Sequence, residues 1–205
     1  MKKKAIVAVV ALVLVLCCAM GGTLAWLVDS TTEVKNTFTY GDINISLWEQ
    51  ELNEDGLTLS TDVFTGAEQT GFKMIPGNNI KKDPTVTVKA DSEASWLFVK
   101  IVESDNFDSF MEYSIATGWT ALNDANADGV ADDGIYYRTV DATTADTDFA
   151  VLANDSVSVK DTVTKNMLKD GVFVAPTLSF TAYAVQRDTN ITTAAQAWDI
   201  AMGNN

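Results

Sequence analysis

Hydrophobic and polar residues alternate with a two-residue period through much of the chain. Ile43, Ile45 and Leu47 are separated by Asn44 and Ser46, and Leu57 and Leu59 follow. The pattern returns in Thr85-Val86-Thr87-Val88, in Val157 and Val159, and in Leu178, Phe180, Ala182 and Ala184. Side chains of a strand point alternately to its two faces, so this period predicts half-buried β-strands, and the β-branched residues favour the same conformation. The run from Trp96 to Val102 is apolar on both faces, as expected of a central strand or of one covered on its outer side. Turn-forming residues separate the runs at Gly41-Asp42, Asn53 to Gly56, Pro76-Gly77-Asn78-Asn79 and Asp170-Gly171. Strand, turn and strand at this pitch predict an antiparallel β-sandwich.

A helical period occurs near the carboxyl end. Ala194, Ala197, Trp198 and Ala201 share one face, Thr192 or Thr193 can cap the segment, and Gly203 can stop it. Trp198 is expected to pack on a sheet. The segment from Phe107 has two readings: Phe107, Phe110 and Met111 fit a helical turn, whereas Tyr113 and Ile115 fit a strand.

The amino end departs from this pattern. Lys2, Lys3 and Lys4 precede an apolar run from Ala5 to Met20, then Gly21-Gly22 and Thr23-Leu24-Ala25. A basic start, an apolar middle and small residues two apart make a secretory signal, with cleavage expected after Ala25 and before Trp26. The competing reading is a membrane anchor, because no charge lies between Ala5 and Val28. The Gly pair and the small residues Thr23 and Ala25 favour cleavage. Membrane contact is then expected only through the uncleaved signal, with signal peptidase as a partner during export.

Cleavage would take Cys17 and Cys18, the two cysteines of the chain, so disulfide and thiolate chemistry are not expected of the remainder. It would also leave 11 basic residues against 28 acidic ones, a net charge of −17. Such a surface repels nucleic acid and anionic membranes. Histidine is absent, which removes the commonest general base and metal ligand. Together with the lack of GxSxG, SxxK, P-loop and HExxH patterns, this argues against an enzyme.

Four stretches together resemble the TasA and camelysin family of secreted bacterial biofilm-matrix proteins. They are Gly21 to Asp29, Asn36 to Leu47, the turn Met74-Ile75-Pro76-Gly77 followed by Lys81, Lys82 and Asp83, and the strand from Leu178 to Gln186. The resemblance spans roughly residues 20 to 202 and rests on the order of the motifs. It implies an all-β, jelly-roll-like antiparallel sandwich with the short C-terminal helix. It also implies assembly into extracellular fibres, either of this chain alone or with related matrix subunits, by donation of an amino-terminal strand.

Residues 26–40 are the candidate donor, with Leu27, Val28, Val34 and Phe38 as apolar residues, and 41–205 the sandwich. A sandwich that lacks an edge strand exposes unpaired main-chain groups that another chain can satisfy. Head-to-tail donation does not close, so it propagates as a filament. Two alternatives stand beside donation: the segment can fold back on its own sandwich, and the protein can be a monomeric adhesin or binding module. Surface clusters of Trp119, Tyr136 and Tyr137 would favour the module. The high negative charge opposes assembly at low salt, so salt, calcium or low pH should promote it. The peptidase activity described for some relatives transfers badly to a chain without imidazole ligands.

One loop carries metal-like chemistry. Asp124-Ala125-Asn126-Ala127-Asp128-Gly129 has the start of an oxygen-ligand calcium loop, with Val130 offering its carbonyl and Asp132 a carboxylate. Ile135 stands where an EF-hand has its bidentate Glu, and no helical pattern flanks the loop. Calcium is therefore an optional stiffener rather than a required cofactor. The other reading is a hairpin tip built of turn-favouring Asp, Asn and Gly.

Overall fold

A computed structural model describes residues 28–31, 43–123, 125, 127, 129–169 and 173–203. The chain forms an antiparallel β-sandwich with a short C-terminal helix. Its five-stranded sheet runs in the order β1 (Val28–Thr31), β13 (Leu178–Gln186), β7 (Ser95–Glu103), β10 (Ile135–Val140) and β9 (Thr120–Ala121). The opposing layer pairs β2 (Ile45–Trp48) with β6 (Thr85–Val88) and β6 with β11 (Thr147–Ala150). It continues as β5 (Asn79–Lys81), β12 (Leu152–Val159) and β8 (Met111–Ile115).

These two parts of the second layer are one surface, because β5 runs into β6 and β11 into β12. The Val151 N–H donates to the Pro84 carbonyl at 2.9 Å and the Lys82 N–H to the Asp155 carbonyl at 2.9 Å, bridging the join. Asn154 and Asp155 take positive φ values of 57° and 50° there, in a left-handed conformation that Asn and Asp tolerate. A small hairpin of β3 (Gln50–Leu52) and β4 (Leu59–Val63) projects from the end of β2. Among the described residues the first strand lies beside the last.

The alternating runs supply the core between the layers. Leu97, Val99 and Ile101 of β7 and Phe180, Ala182 and Ala184 of β13 meet Ile45, Val86, Val88, Leu152 and Val159 from the second layer. The doubly apolar run of β7 is explained on both counts. It is the central strand, and its other face, through Phe98, lies beneath the C-terminal helix α2 (Ala194–Ala201). Thr193 caps that helix: its hydroxyl accepts from the Gln196 N–H at 3.3 Å, and the Gln196 carboxamide oxygen accepts from the Thr193 N–H at 3.2 Å. Trp198 packs on Phe98 and Tyr183, with ring centroids 5.3 and 5.1 Å away.

Both readings of the segment after Phe107 are realised in succession. Phe107–Phe110 forms one helical turn, α1, that buries Phe107 and Phe110, and the chain then extends as β8. Among the described residues no helix is long and apolar enough to cross a membrane.

Candidate functional site

The predicted assembly strand falls in part on β1. Its register runs from Val28 opposite Val185 to Thr31 opposite Ala182, so within the single chain this strand folds back onto its own sandwich. β1 covers only the later half of β13. The Thr177 carbonyl accepts from the Ser104 N–H at 3.0 Å and the Arg187 N–H donates to the Ala94 carbonyl at 2.8 Å, so odd-numbered residues of β13 bond to β7. Main-chain groups of the even-numbered residues consequently face the β1 side. Ala182 and Ala184 meet β1, whereas Leu178 and Phe180 lie past its end, unpaired by any described strand. Leu27, Val34 and Phe38, and the processing residues Thr23, Ala25 and Trp26, lie outside the described residues.

The loop before β10 connects it to β9 as a hairpin. The Leu122 N–H donates to the Ile135 carbonyl and the Asp132 N–H to the Asn123 carbonyl, both at 2.8 Å. Gly134, at φ 70°, closes against β7, and a Cβ there would run into the Ile101 carbonyl. Of the expected calcium ligands, Asp124, Asn126 and Asp128 lie outside the described residues. The Asp132 carboxylate accepts from the Ala125 N–H at 2.9 Å, and Val130 is exposed. No cluster of three or more metal-ligating side chains occurs among the described residues.

The aromatic residues around this hairpin belong to the interior. Trp119 and Tyr136 are buried, and Tyr137 is half-buried against Trp96 and Phe98. Trp119 donates its indole N–H to the Ala150 carbonyl at 2.8 Å. The Arg138 guanidinium stacks 4.0 Å from the Phe149 ring centroid and 5.5 Å from that of Trp119, where burial lowers its pKa.

Sequence reasoning missed a cleft of about 680 Å³ at the open side of the sandwich, beside the uncovered half of β13. Trp48, Phe72, Phe107, Phe173 and Phe180 line it. Lys82 lies among them with its ammonium 2.5 Å from Glu49 Oε2 and 5.4 and 5.8 Å from the ring centroids of Phe72 and Phe180. The Lys82 and Glu49 side chains are 13% and 16% exposed. Gln69 ties the covering segment to β3: its carboxamide oxygen accepts from the Leu52 N–H at 2.6 Å and its amide donates to the Gln50 carbonyl at 3.3 Å.

Fold and sites together define an antiparallel β-sandwich with a short edge strand near its amino end, a helix over one sheet and an aromatic cleft between the layers. Comparison with protein-family models, with curated proteins and with solved structures gives no match.

Proposed function

We propose that this chain is an exported, non-enzymatic structural protein of the extracellular matrix or cell surface, which assembles by passing β1 from one copy to the next. The observation that carries the reading is the position of β1: a four-residue edge strand joined to the body through residues 32–42. The register that β1 makes with its own β13 is equally available to β1 of another copy, so exchange keeps the same main-chain bonds. Each copy would give one strand and accept one, and an exchange that does not close on itself propagates. The jelly-roll comparison and the matrix role come from the motif resemblance and belong to the same proposal.

The test compares a chain beginning at Trp26 with one beginning at Gly41, by negative-stain microscopy and size exclusion, with and without salt and calcium. Filaments from the longer chain alone are expected, and Asp29→Pro with Thr31→Pro, which removes the β1 N–H groups opposite Ala184 and Ala182, should abolish them while the sandwich stays folded. Filaments from the shorter chain would exclude β1 as the donor. Monomers from both under every condition would favour a monomeric binding module, the reading that the aromatic cleft supports.

A further inference from the structure

A concavity of about 680 Å³, walled largely by aromatic and aliphatic side chains, opens at the side of the sandwich. It falls within the roughly 300–1,000 Å³ of small-molecule sites. The lining comes from the segments 47–49, 64–74, 80–82, 107–111 and 173–180, so several parts of the fold converge on one concavity. A second feature is polar. An ammonium has three N–H donors, and Lys82 directs one hydrogen bond to Glu49 and makes no other among the described residues. It is nearly buried, its two ring neighbours offer no lone pair, and it sits on the wall of the cleft.

We infer that the cleft binds an uncharged molecule with an apolar acyl body and one amide or ester carbonyl, the body lying on Phe72, Phe173 and Phe180 and the carbonyl oxygen accepting a hydrogen bond from Lys82. Charge selects the class of head group. Glu49 and Glu68 line the same cleft, so an anionic head would add a negative charge to two already present. A cationic head would meet the Lys82 ammonium and compete with it for Glu49. A neutral acceptor leaves the Glu49–Lys82 pair intact and uses a donor that no described residue of the chain takes up. This inference rests on no residue of β1 and so stands apart from strand exchange.

The experiment uses three probes with one body and different heads: octanamide, octanoate and octylammonium. Each is titrated into the full ¹⁵N-labelled chain and read at the backbone amides of Phe72, Lys82 and Phe180, so that uptake elsewhere on the chain does not count. Octanamide is expected to shift these amides and to bind about tenfold tighter than either charged probe, the scale of one hydrogen bond to a charged group. Lys82→Met combined with Glu49→Met removes the donor without stranding a carboxylate or adding a carboxamide N–H, and should bring octanamide down by about the same factor. The inference is overturned if octanamide leaves the cleft amides unmoved. It is also overturned if the three probes bind alike, or if the double variant binds octanamide as the parent does.

Discussion

The five-stranded sheet carries aromatic surface on both faces, and the chain treats the two differently. On the outer face α2 closes over Phe98, Ile135 and Val185, burying Ala194 and Ala197 and wedging Trp198 between Phe98 and Tyr183. On the inner face, at the end nearest Leu178, the layers part beside Phe180 and leave the cleft. Closing the first face takes small residues that let a helix approach and a capped amino terminus that fixes its start. The open face instead carries a charged pair, Lys82 and Glu49, on the wall of the cleft.

The largest expected effect lies on the closed face. Ala197, on the sheet-facing side of α2, is wholly buried, and Ala197→Asp would place an unpaired carboxylate against the apolar cluster. A loss of about 4 kcal/mol in urea denaturation is expected. If the variant loses under about 1 kcal/mol, α2 is not docked as a closing element and the contrast between the faces fails.

The cleft should respond less and in a different pattern. Lys82→Met leaves Glu49 without its partner and should cost about 2 kcal/mol, below the range for fully buried pairs because the cleft is open to water. Adding Glu49→Gln should return the protein to within about 1 kcal/mol of the parent, since removing both charges removes the desolvation cost with the attraction. A double variant as unstable as the single one would mean that the pair supports the fold itself. The cleft would then be a structural defect rather than a site.

The closed face was largely legible in the sequence and the open one was not. Trp96 to Val102 could be read as covered on both faces because strand periodicity is local, and the helix that covers it carried its own cap, stop and apolar stripe. Trp119, Tyr136 and Tyr137 could not be assigned to core or surface, since that depends on which strands come to lie above them. The strand Thr147-Asp148-Phe149-Ala150 passed unnoticed because it mixes polar and apolar residues without β-branching beyond Thr147, and pairing with β6 decides its conformation. Glu49 and Lys82 are 33 residues apart, and nothing in either neighbourhood announces the other. The oxygen-rich loop showed the opposite difficulty: its composition suits a cation and a hairpin tip equally well, and the β9–β10 pairing is what a hairpin requires.

The smallest and most selective probe of the open face is Asp83, which follows Lys82 and is 8% exposed. Its Oδ1 accepts from the Gln50 N–H at 3.0 Å, yet burial, with Glu49 adding to it, raises its pKa above the ordinary 3.8. Exposed Asp146 and Asp188 go the other way: donated hydrogen bonds, chiefly from the Ala90 and Asn190 N–H groups, lower theirs. A raised carboxyl pKa means that the folded state binds more protons than the unfolded state in the interval above the unfolded pKa. Asp83 therefore opposes folding at neutral pH. That cost sets in as pH rises from the unfolded pKa and is complete above the folded one, whereas the contribution of Asp146 and Asp188 is lost as pH falls. Asp83→Asn retains an acceptor for Gln50 and cannot ionise. The variant should melt above the parent at pH 7, with the gap narrowing as pH is lowered and closing near pH 3, where both side chains are neutral. A variant that melts below the parent at pH 7 would mean that the Asp83 carboxylate is held by attraction to Lys82, making it a third member of the charged wall.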